Sequence, residues 1–351
     1  MALPDLPAAS ELEEVRQRIA PHISGLRGAH ILITGGTGII GKWLIASLLH
    51  ADTVDQLGLR ISVLSRSPGT FMAQIPTIGL DARVQWLQGD VRSFTLPPSA
   101  AFSHLIHAAT DVVAAISPSD LIDICVNGTR NALQIAKAAG VGRMLLLSSG
   151  AVYGKTDAGQ GAIPEDYVGP LDPLSPDCAY AQGKRTAELL CAIEAEAGAM
   201  EITIARCFAM VGPYLPLDRH FAIGNFIQAA LMQQPVSIKG DGTPVRSYLY
   251  LSDVAARLLL LLLAGRSSVA YNVGGSEPVS IEQLAHRVLA VLGVDVPVLL
   301  GKQSVHGAHA QRYYPDSTRI NHAWGLAPEI GLDQAILRTA NWYRPAYLGR
   351  N

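Results

Sequence analysis

Three residues near the middle of the chain have the types and spacing to move a proton: Ser149, Tyr180 and Lys184. Tyr180-Ala181-Gln182-Gly183-Lys184 opens an expected helix, and a spacing of four puts phenol and ammonium on one helical face. A neighbouring ammonium favours the phenolate, so the Tyr180 pKa is expected to be lowered and the phenol to exchange a proton with a substrate hydroxyl near neutral pH. Ser149, in Ser148-Ser149-Gly150-Ala151-Val152-Tyr153-Gly154 at an expected strand end, can hold the same oxygen by a hydrogen bond. Taken alone, a tyrosine four residues before a lysine is also what any amphipathic helix shows at its surface. Its order along the chain, after a glycine turn and a serine strand end, argues for chemistry.

That glycine turn follows the first expected strand as Thr34-Gly35-Gly36-Thr37-Gly38-Ile39-Ile40-Gly41 and leads into a helix. Gly35, Gly38 and Gly41 permit a tight turn, close approach of a pyrophosphate and close packing of helix on strand. Ile39 and Ile40 open the helix whose N-terminus attracts the anion. A dinucleotide is the expected ligand, with a nicotinamide supplying the hydride that accompanies the Tyr180 proton. The second strand ends in Ser65-Arg66, where an NAD-preferring site would usually carry an acid for the ribose diol. A serine followed by a cation favours NADP(H), with Arg66 pairing to a ribose 2′-phosphate. NAD(H), with Arg66 a solvated loop residue, is the alternative. Asp90 and Val91 end the third strand, where Asp90 is expected to meet the adenine or to cap the next segment.

The elements that must deliver these residues are expected as strands at 30–34, 60–64, 84–88, 104–108, 144–148 and 202–206, with helices at 38–51, 120–139 and 180–198. Short apolar runs alternating with helical patterns specify an α/β fold, a Rossmann-type doubly wound parallel sheet. After Arg206 the alternation stops, and helices at 252–264 and 280–292 among Gly/Pro turns suggest a smaller C-terminal α/β substrate lobe. The expected division is an N-terminal helical extension over 1–28, a dinucleotide-binding domain over 29–206, and a mainly substrate-binding lobe over 207–351 whose chain crosses back to the sheet. The long loop 154–176 and the loop 214–221 are expected to face substrate.

The 351 residues are 49% apolar and 16% charged with a net charge of −2, enough to bury a large core and without the basic excess that nucleic acid attracts. The longest apolar run, 258–263, is far shorter than the roughly 20 residues of a membrane span. It reads as a buried helix behind Asp253. Residues 1–18, acidic at Glu11, Glu13 and Glu14 and lacking an apolar core, read as a short solvated helix and not as a secretory signal. Cys125, Cys178, Cys191 and Cys207 show no metal-ligand spacing. They are expected to be reduced, in the cytoplasm, with no metal bound.

From residue 29 to about 343 the chain resembles the extended short-chain dehydrogenase/reductase family, the nucleotide-sugar epimerases, dehydratases and ketoreductases, on these motifs and several more. Leu105-Ile106-His107-Ala108-Ala109 is similar to the family's fourth-strand segment, which implies that Ala108 and Ala109 line the cofactor. Asn127 resembles the structural asparagine of the central helix. The resemblance implies that Asn225, Arg246 and Arg312 contact the diphosphate of a nucleotide-diphosphate sugar, each arginine being otherwise a surface charge. It also implies a homodimer built on helices 120–139 and 180–198 of both copies.

Within that family the positions after the serine separate the reactions. The dehydratases carry an Asp-Glu pair there and the UDP-glucuronate decarboxylases keep the glutamate, whereas this chain has Gly150 and Ala151. What remains is proton and hydride exchange at one carbon. The resemblance therefore implies reduction of a 4-keto-(6-deoxy) sugar, with 4-epimerisation on tightly bound NAD as the alternative. A non-catalytic dinucleotide sensor is the reading from another class. Ala209 stands where the family commonly has asparagine. Cys178 stands where serine is common and reads as a small packing residue, since no base is identifiable for it.

Overall fold

The computed structural model of the protein describes residues 3–97, 99–110, 116–156, 159–302, 311–326 and 330–347; Met1, Ala2, Asp157 and Ala158, which belong to segments read above, lie outside these. In chain order come α1 (Ala9–Ile19), β1 (His30–Thr34), α2 (Ile39–Asp55), β2 (Arg60–Ser65), α3 (Pro68–Gln74), α4 (Pro76–Gly79), β3 (Val84–Gln88), β4 (His104–His107), α5 (Pro118–Ala138), β5 (Arg143–Ser149), α6 (Ala179–Glu196) and β6 (Glu201–Cys207). Helices α7 (Ala222–Leu231), α8 (Leu251–Ala264), α9 (Ile281–Leu292), α10 (Thr318–Trp324) and α11 (Leu332–Tyr347) follow.

Runs such as Ile31-Leu32-Ile33 and Met144-Leu145-Leu146 are buried, as strands covered by helices on both faces require. They build a seven-stranded sheet in the order Ala270–Val273, β6, β5, β4, β1, β2, β3, with every pair parallel. This is the expected doubly wound α/β fold. Strand order reverses between β1 and β4, which run in register from Ile31↔His104 to Thr34↔His107. Helices leave the sheet on opposite faces at such a reversal, so a cleft opens at the strands' carboxyl ends. The edge strand Ala270–Val273, paired to β6 from Ala270↔Ile204 to Val273↔Cys207, brings the later chain back to the sheet.

Helix α1 is not the solvated helix its acidic composition suggested. Leu12, Val15 and Ile19 are buried, and their spacing places them on one stripe that packs on α2 and α8. The acids of this helix are partnered: Glu11 accepts from the Tyr250 hydroxyl at 2.5 Å, and Glu14 pairs with Arg338 at 3.0 Å. Arg18 meets Asp253 at 2.5 Å. Helix α8 behaves as expected, with Leu258 to Leu262 each at most 1% exposed.

Beside the cleft a small sheet joins Val279–Ser280, Val245–Arg246 and Arg312–Tyr313. Segment 154–176 braces this sheet, contrary to the expectation that it faces substrate. Thr156 Oγ1 donates to the Arg312 carbonyl at 2.8 Å. Ile163 N donates to Tyr314 O at 2.9 Å and Asp316 N to Ile163 O at 2.8 Å. None of the segment's described residues lines the cleft.

Candidate active site

The cleft is a cavity of about 970 Å³, the size range of small-molecule and cofactor sites. At its floor Gly35 adopts φ +76°, and a Cβ there would lie 2.5 Å from the Ala108 carbonyl oxygen. A Cβ on Gly41 would lie 2.5 Å from the Gly35 oxygen. Both positions therefore exclude any side chain, and backbone alone faces the cavity. Gly38 is the N-cap of α2 and brings no side-chain cap, which leaves the first amides of the helix facing the cleft. Thr34 Oγ1 and His107 Nδ1 lie 2.7 Å apart, and His107 Nε2 reaches Thr129 Oγ1 at 3.1 Å, locking the seam under the turn. Burial, with Lys184 nearby, pushes the His107 pKa down to about 3.

Every expected cofactor residue lies on this cavity's wall: Gly35, Gly38, Ile39, Ile40, Gly41, Ser65, Arg66, Asp90, Val91, Ala108, Ala109, Tyr180 and Lys184. Asp90 also acts as a cap. Its Oδ1 accepts from Arg92 N at 2.9 Å, and a side-chain hydrogen bond from Arg92 holds the carboxyl down at about 2. Lys42, one residue past the third glycine, was not anticipated. Its ammonium lies 5.0 Å from the Tyr214 ring and 6.0 Å from the Phe71 ring, and burial lowers its pKa. Among the described residues no carboxylate pairs with Lys42 or with the exposed Arg66.

At the other end β5 delivers Ser149, and the first two turns of α6 deliver Tyr180 and Lys184. Ser149 caps the turn after the strand, its Oγ accepting from Ala151 N at 3.2 Å. Lys184 is buried and donates to the Leu147 carbonyl at 2.7 Å. Burial lowers its pKa. The Tyr180 phenol is raised well above its ordinary value by burial, a Ser149 hydrogen bond opposing this. The expectation that Lys184 would lower it is thus overturned: desolvation outweighs a cation whose hydrogen bond goes to Leu147.

Of the three expected diphosphate contacts, only Arg246 lies on the cavity wall. Asn225 instead donates at 2.7 Å to the carbonyls of Leu217 and Arg219 and so shapes the 214–221 loop, from which Tyr214, Leu215, Pro216, His220 and Phe221 do face the cleft. Arg312 is exposed and points away, while its neighbour Tyr313 points in, because successive strand residues face opposite sides. Asn127 is exposed and bonds to Asp123; the asparagine that ties the central helix to the chain is Asn131, donating to the carbonyls of Val91 and Phe94 at 2.9 and 3.0 Å. Cys207 lines the cavity, but burial pushes its thiol up to about 12, and Cys178 lies off the wall. No cluster of metal ligands occurs among the described residues.

Residues 31–274 match the model of the NAD dependent epimerase/dehydratase family. The chain belongs to that family. It is an enzyme, as the relatives it matches are. It is 26% identical over 321 residues to a dTDP-glucose 4,6-dehydratase of Streptomyces niveus, covering 90% of this chain and 92% of that one. It is 27% identical over 329 residues to UDP-glucuronic acid decarboxylase 2 of Arabidopsis thaliana, 92% of this chain and 70% of the relative. The crystal structure of a dTDP-glucose 4,6-dehydratase of Streptomyces venezuelae with NAD bound superposes with a TM-score of 0.74 at 28% identity, over 90% of this chain and 97% of that one. A dinucleotide fits this family member's cleft, since side-chain-free backbone at Gly35 and Gly41 and the uncapped start of α2 make a pyrophosphate cradle. No helix among the described residues is long and apolar enough to cross a membrane.

Proposed function

We propose that this family member reduces a 4-keto-(6-deoxy) sugar carried on a nucleotide diphosphate, using NADP(H). The observation that carries the reading is the space after Ser149. Elimination in this family leans on an Asp-Glu pair at the next two positions and decarboxylation on the glutamate at the second, and here they are Gly150 and Ala151. An acid at Gly150 would also have to displace its neighbours, since a Cβ there would lie 2.6 Å from the Tyr313 hydroxyl and 2.7 Å from the Phe208 ring. The dehydratase and decarboxylase relatives therefore share the scaffold, and the chemistry that remains is redox at a single carbon.

When bound, the nicotinamide supplies the hydride. Tyr180 gives its proton to the keto oxygen, Ser149 holds that oxygen, and Lys184, fixed by the Leu147 carbonyl, offers positive charge beneath them. Arg246 holds the substrate's diphosphate. At the other end Arg66, which faces the Asp90 carboxylate without a direct ion pair, and Lys42 favour a ribose 2′-phosphate. Exposed apolar side chains on α5 and α6, Ile122, Leu189 and Ile193, support a homodimer through these helices. The second reading is a 4-epimerase holding NAD, favoured by the same Ser149, Tyr180 and Lys184, which both reactions need. Purified protein tested for bound dinucleotide, then for NADPH oxidation with dTDP-4-keto-6-deoxyglucose, separates the two. NADPH consumption supports reduction; tightly held NAD with interconversion of UDP-glucose and UDP-galactose supports the epimerase.

A further inference from the structure

Residues 3–8, ahead of α1, take no part in the chemistry proposed above, yet they join the two walls of the cleft. The Asp5 carboxylate accepts from Thr77 in α4, from Oγ1 at 2.8 Å and from the amide at 3.3 Å. The Asp5 carbonyl accepts from the Tyr214 hydroxyl at 2.5 Å. Leu6 packs on the core and Pro7 is buried, so the segment is seated on the molecule. The walls it joins differ in how firmly they are held. Around Tyr214 the turn is fixed: Trp43 Nε1 donates to the Pro213 carbonyl at 3.3 Å, the Tyr343 hydroxyl donates to the Leu215 carbonyl at 2.6 Å, and the Trp342 ring meets Tyr214 edge-on at 5.3 Å. Tyr214 needs that support, since its φ of +71° is rare for a residue with a side chain. The opposite wall is α3, of seven residues, followed by α4, of four, and helices that short depend on packing. A Cβ on Gly79 would lie 2.5 Å from the Met72 Cα, so α3 and α4 move as one corner. That corner rests on Trp86 of the edge strand β3, through the Phe71 ring at 4.9 Å and a hydrogen bond from Trp86 Nε1 to the Gly79 carbonyl at 3.0 Å. Its Thr70, Phe71 and Gln74 line the cleft beside Ser65 and Arg66. Lys42 spans the gap between the walls, 5.0 Å from the Tyr214 ring and 6.0 Å from the Phe71 ring. Asp5 thus ties the lightly held corner to the firmly held turn.

We propose that segment 3–8 is a strap that holds the α3–α4 corner against the Tyr214 turn and so slows escape of the dinucleotide from the cleft. The inference rests on the dinucleotide cleft itself and is the same whether the enzyme reduces or epimerises its substrate. Asp5 and Thr77 do not line the cavity, so they act on the ligand only by placing the side chains that do. A corner already ordered before binding spares the ligand the entropy of ordering it, and a gain of that kind shows mainly in the dissociation rate. Asp5 is a positioning residue in this scheme.

Asp5→Ala frees the corner, and Tyr214→Phe frees the turn while keeping the ring beside Lys42. Displacement of bound NADPH, and of NADH in parallel, by excess oxidised cofactor in a stopped-flow fluorimeter is expected to show release about tenfold faster in either variant, the size of a hydrogen bond lost at a charged group. The double variant should release no faster than either single one, because a strap cut at one end holds nothing at the other. Asp5→Asn, which can still accept from Thr77, should bring release back close to the wild-type rate. The urea midpoint of Asp5→Ala is expected to stay at the wild-type value, since the bonds it removes lie at the surface. Unchanged release in Asp5→Ala overturns the strap, and so does slower release, which would make the segment an obstruction. Additive effects of the two changes overturn it as well, because they mark two separate anchors. A wild type that holds neither dinucleotide overturns the cleft and the strap together, whereas a protein that binds NADPH without reducing a 4-keto sugar loses only the reduction.

Discussion

Tyr180 and Lys184 are joined less by mutual electrostatics than by where the fold buries them. Lys184 spends a hydrogen bond on Leu147, and Tyr180 is raised by desolvation, so the phenol is held as an acid. Tyr180→Phe is expected to cut turnover at least about 100-fold while leaving the dinucleotide dissociation constant unchanged; stopped-flow turnover and fluorescence titration measure the two separately. Arg66→Ala is expected to weaken NADPH far more than NADH, with the loss set by one charge-assisted contact of about 1.5–3 kcal/mol; equal weakening of both would remove the 2′-phosphate role. At this scale the sequence was legible where a residue type is scarce and ordered, as in the three glycines and the Ser149, Tyr180, Lys184 set. It misled where one register step decides direction. Arg312 and Tyr313 are adjacent on a two-residue strand, too short for alternation to reveal which side chain turns inward. Lys42 was missed because only the fold brings Phe71 and Tyr214 to it.

The elements read from the sequence were those with long runs of one hydrophobic period, and all six expected strands fall within two residues of their observed bounds. What could not be read were elements whose partners are remote. Helix α1 looked solvated because its acids were counted without Tyr250 and Arg338, more than 200 positions away. Leu12 is 5% exposed on the packed stripe of α1, so Leu12→Ala is expected to lower stability by about 2–3 kcal/mol, seen as a lower urea midpoint with turnover of the folded enzyme unchanged. The β1–β4 seam makes a prediction of another kind. His107 takes up a proton only near pH 3, against 6.5 ordinarily, so between those values the unfolded chain binds more protons than the folded one. Stability should therefore fall as pH drops through that window. His107→Gln, which offers a donor and an acceptor but no titrating ring, should flatten the dependence, and urea midpoints taken across the window would show whether it does.

For the molecule as a whole, the cleft lies at the β1–β4 reversal, and the chain past residue 207 lays down the Arg246 strand, returns to the sheet edge at Ala270–Val273, and then adds Val279–Ser280 and Arg312–Tyr313 to the Arg246 strand's small sheet. Cofactor cradle and substrate wall are thus tied to one sheet, and the outer faces of α5 and α6 are left for other uses. Leu189 and Ile193 are 60% and 59% exposed on α6, with Ile122 at 38% on α5, a grouping of large apolar side chains that water disfavours. A second copy offering the same face would cover it through a two-fold interface, in which one patch serves both partners. Sedimentation equilibrium of the wild type is expected to give a dimer, and Leu189→Glu with Ile193→Glu a monomer, because four carboxylates would be brought into one apolar contact. Neither side chain lines the cleft, so the monomer should keep its dinucleotide affinity. A wild type that sediments as a monomer at micromolar concentration would leave these helices without the partner assigned to them, and an unchanged dimer in the double variant would move the interface elsewhere.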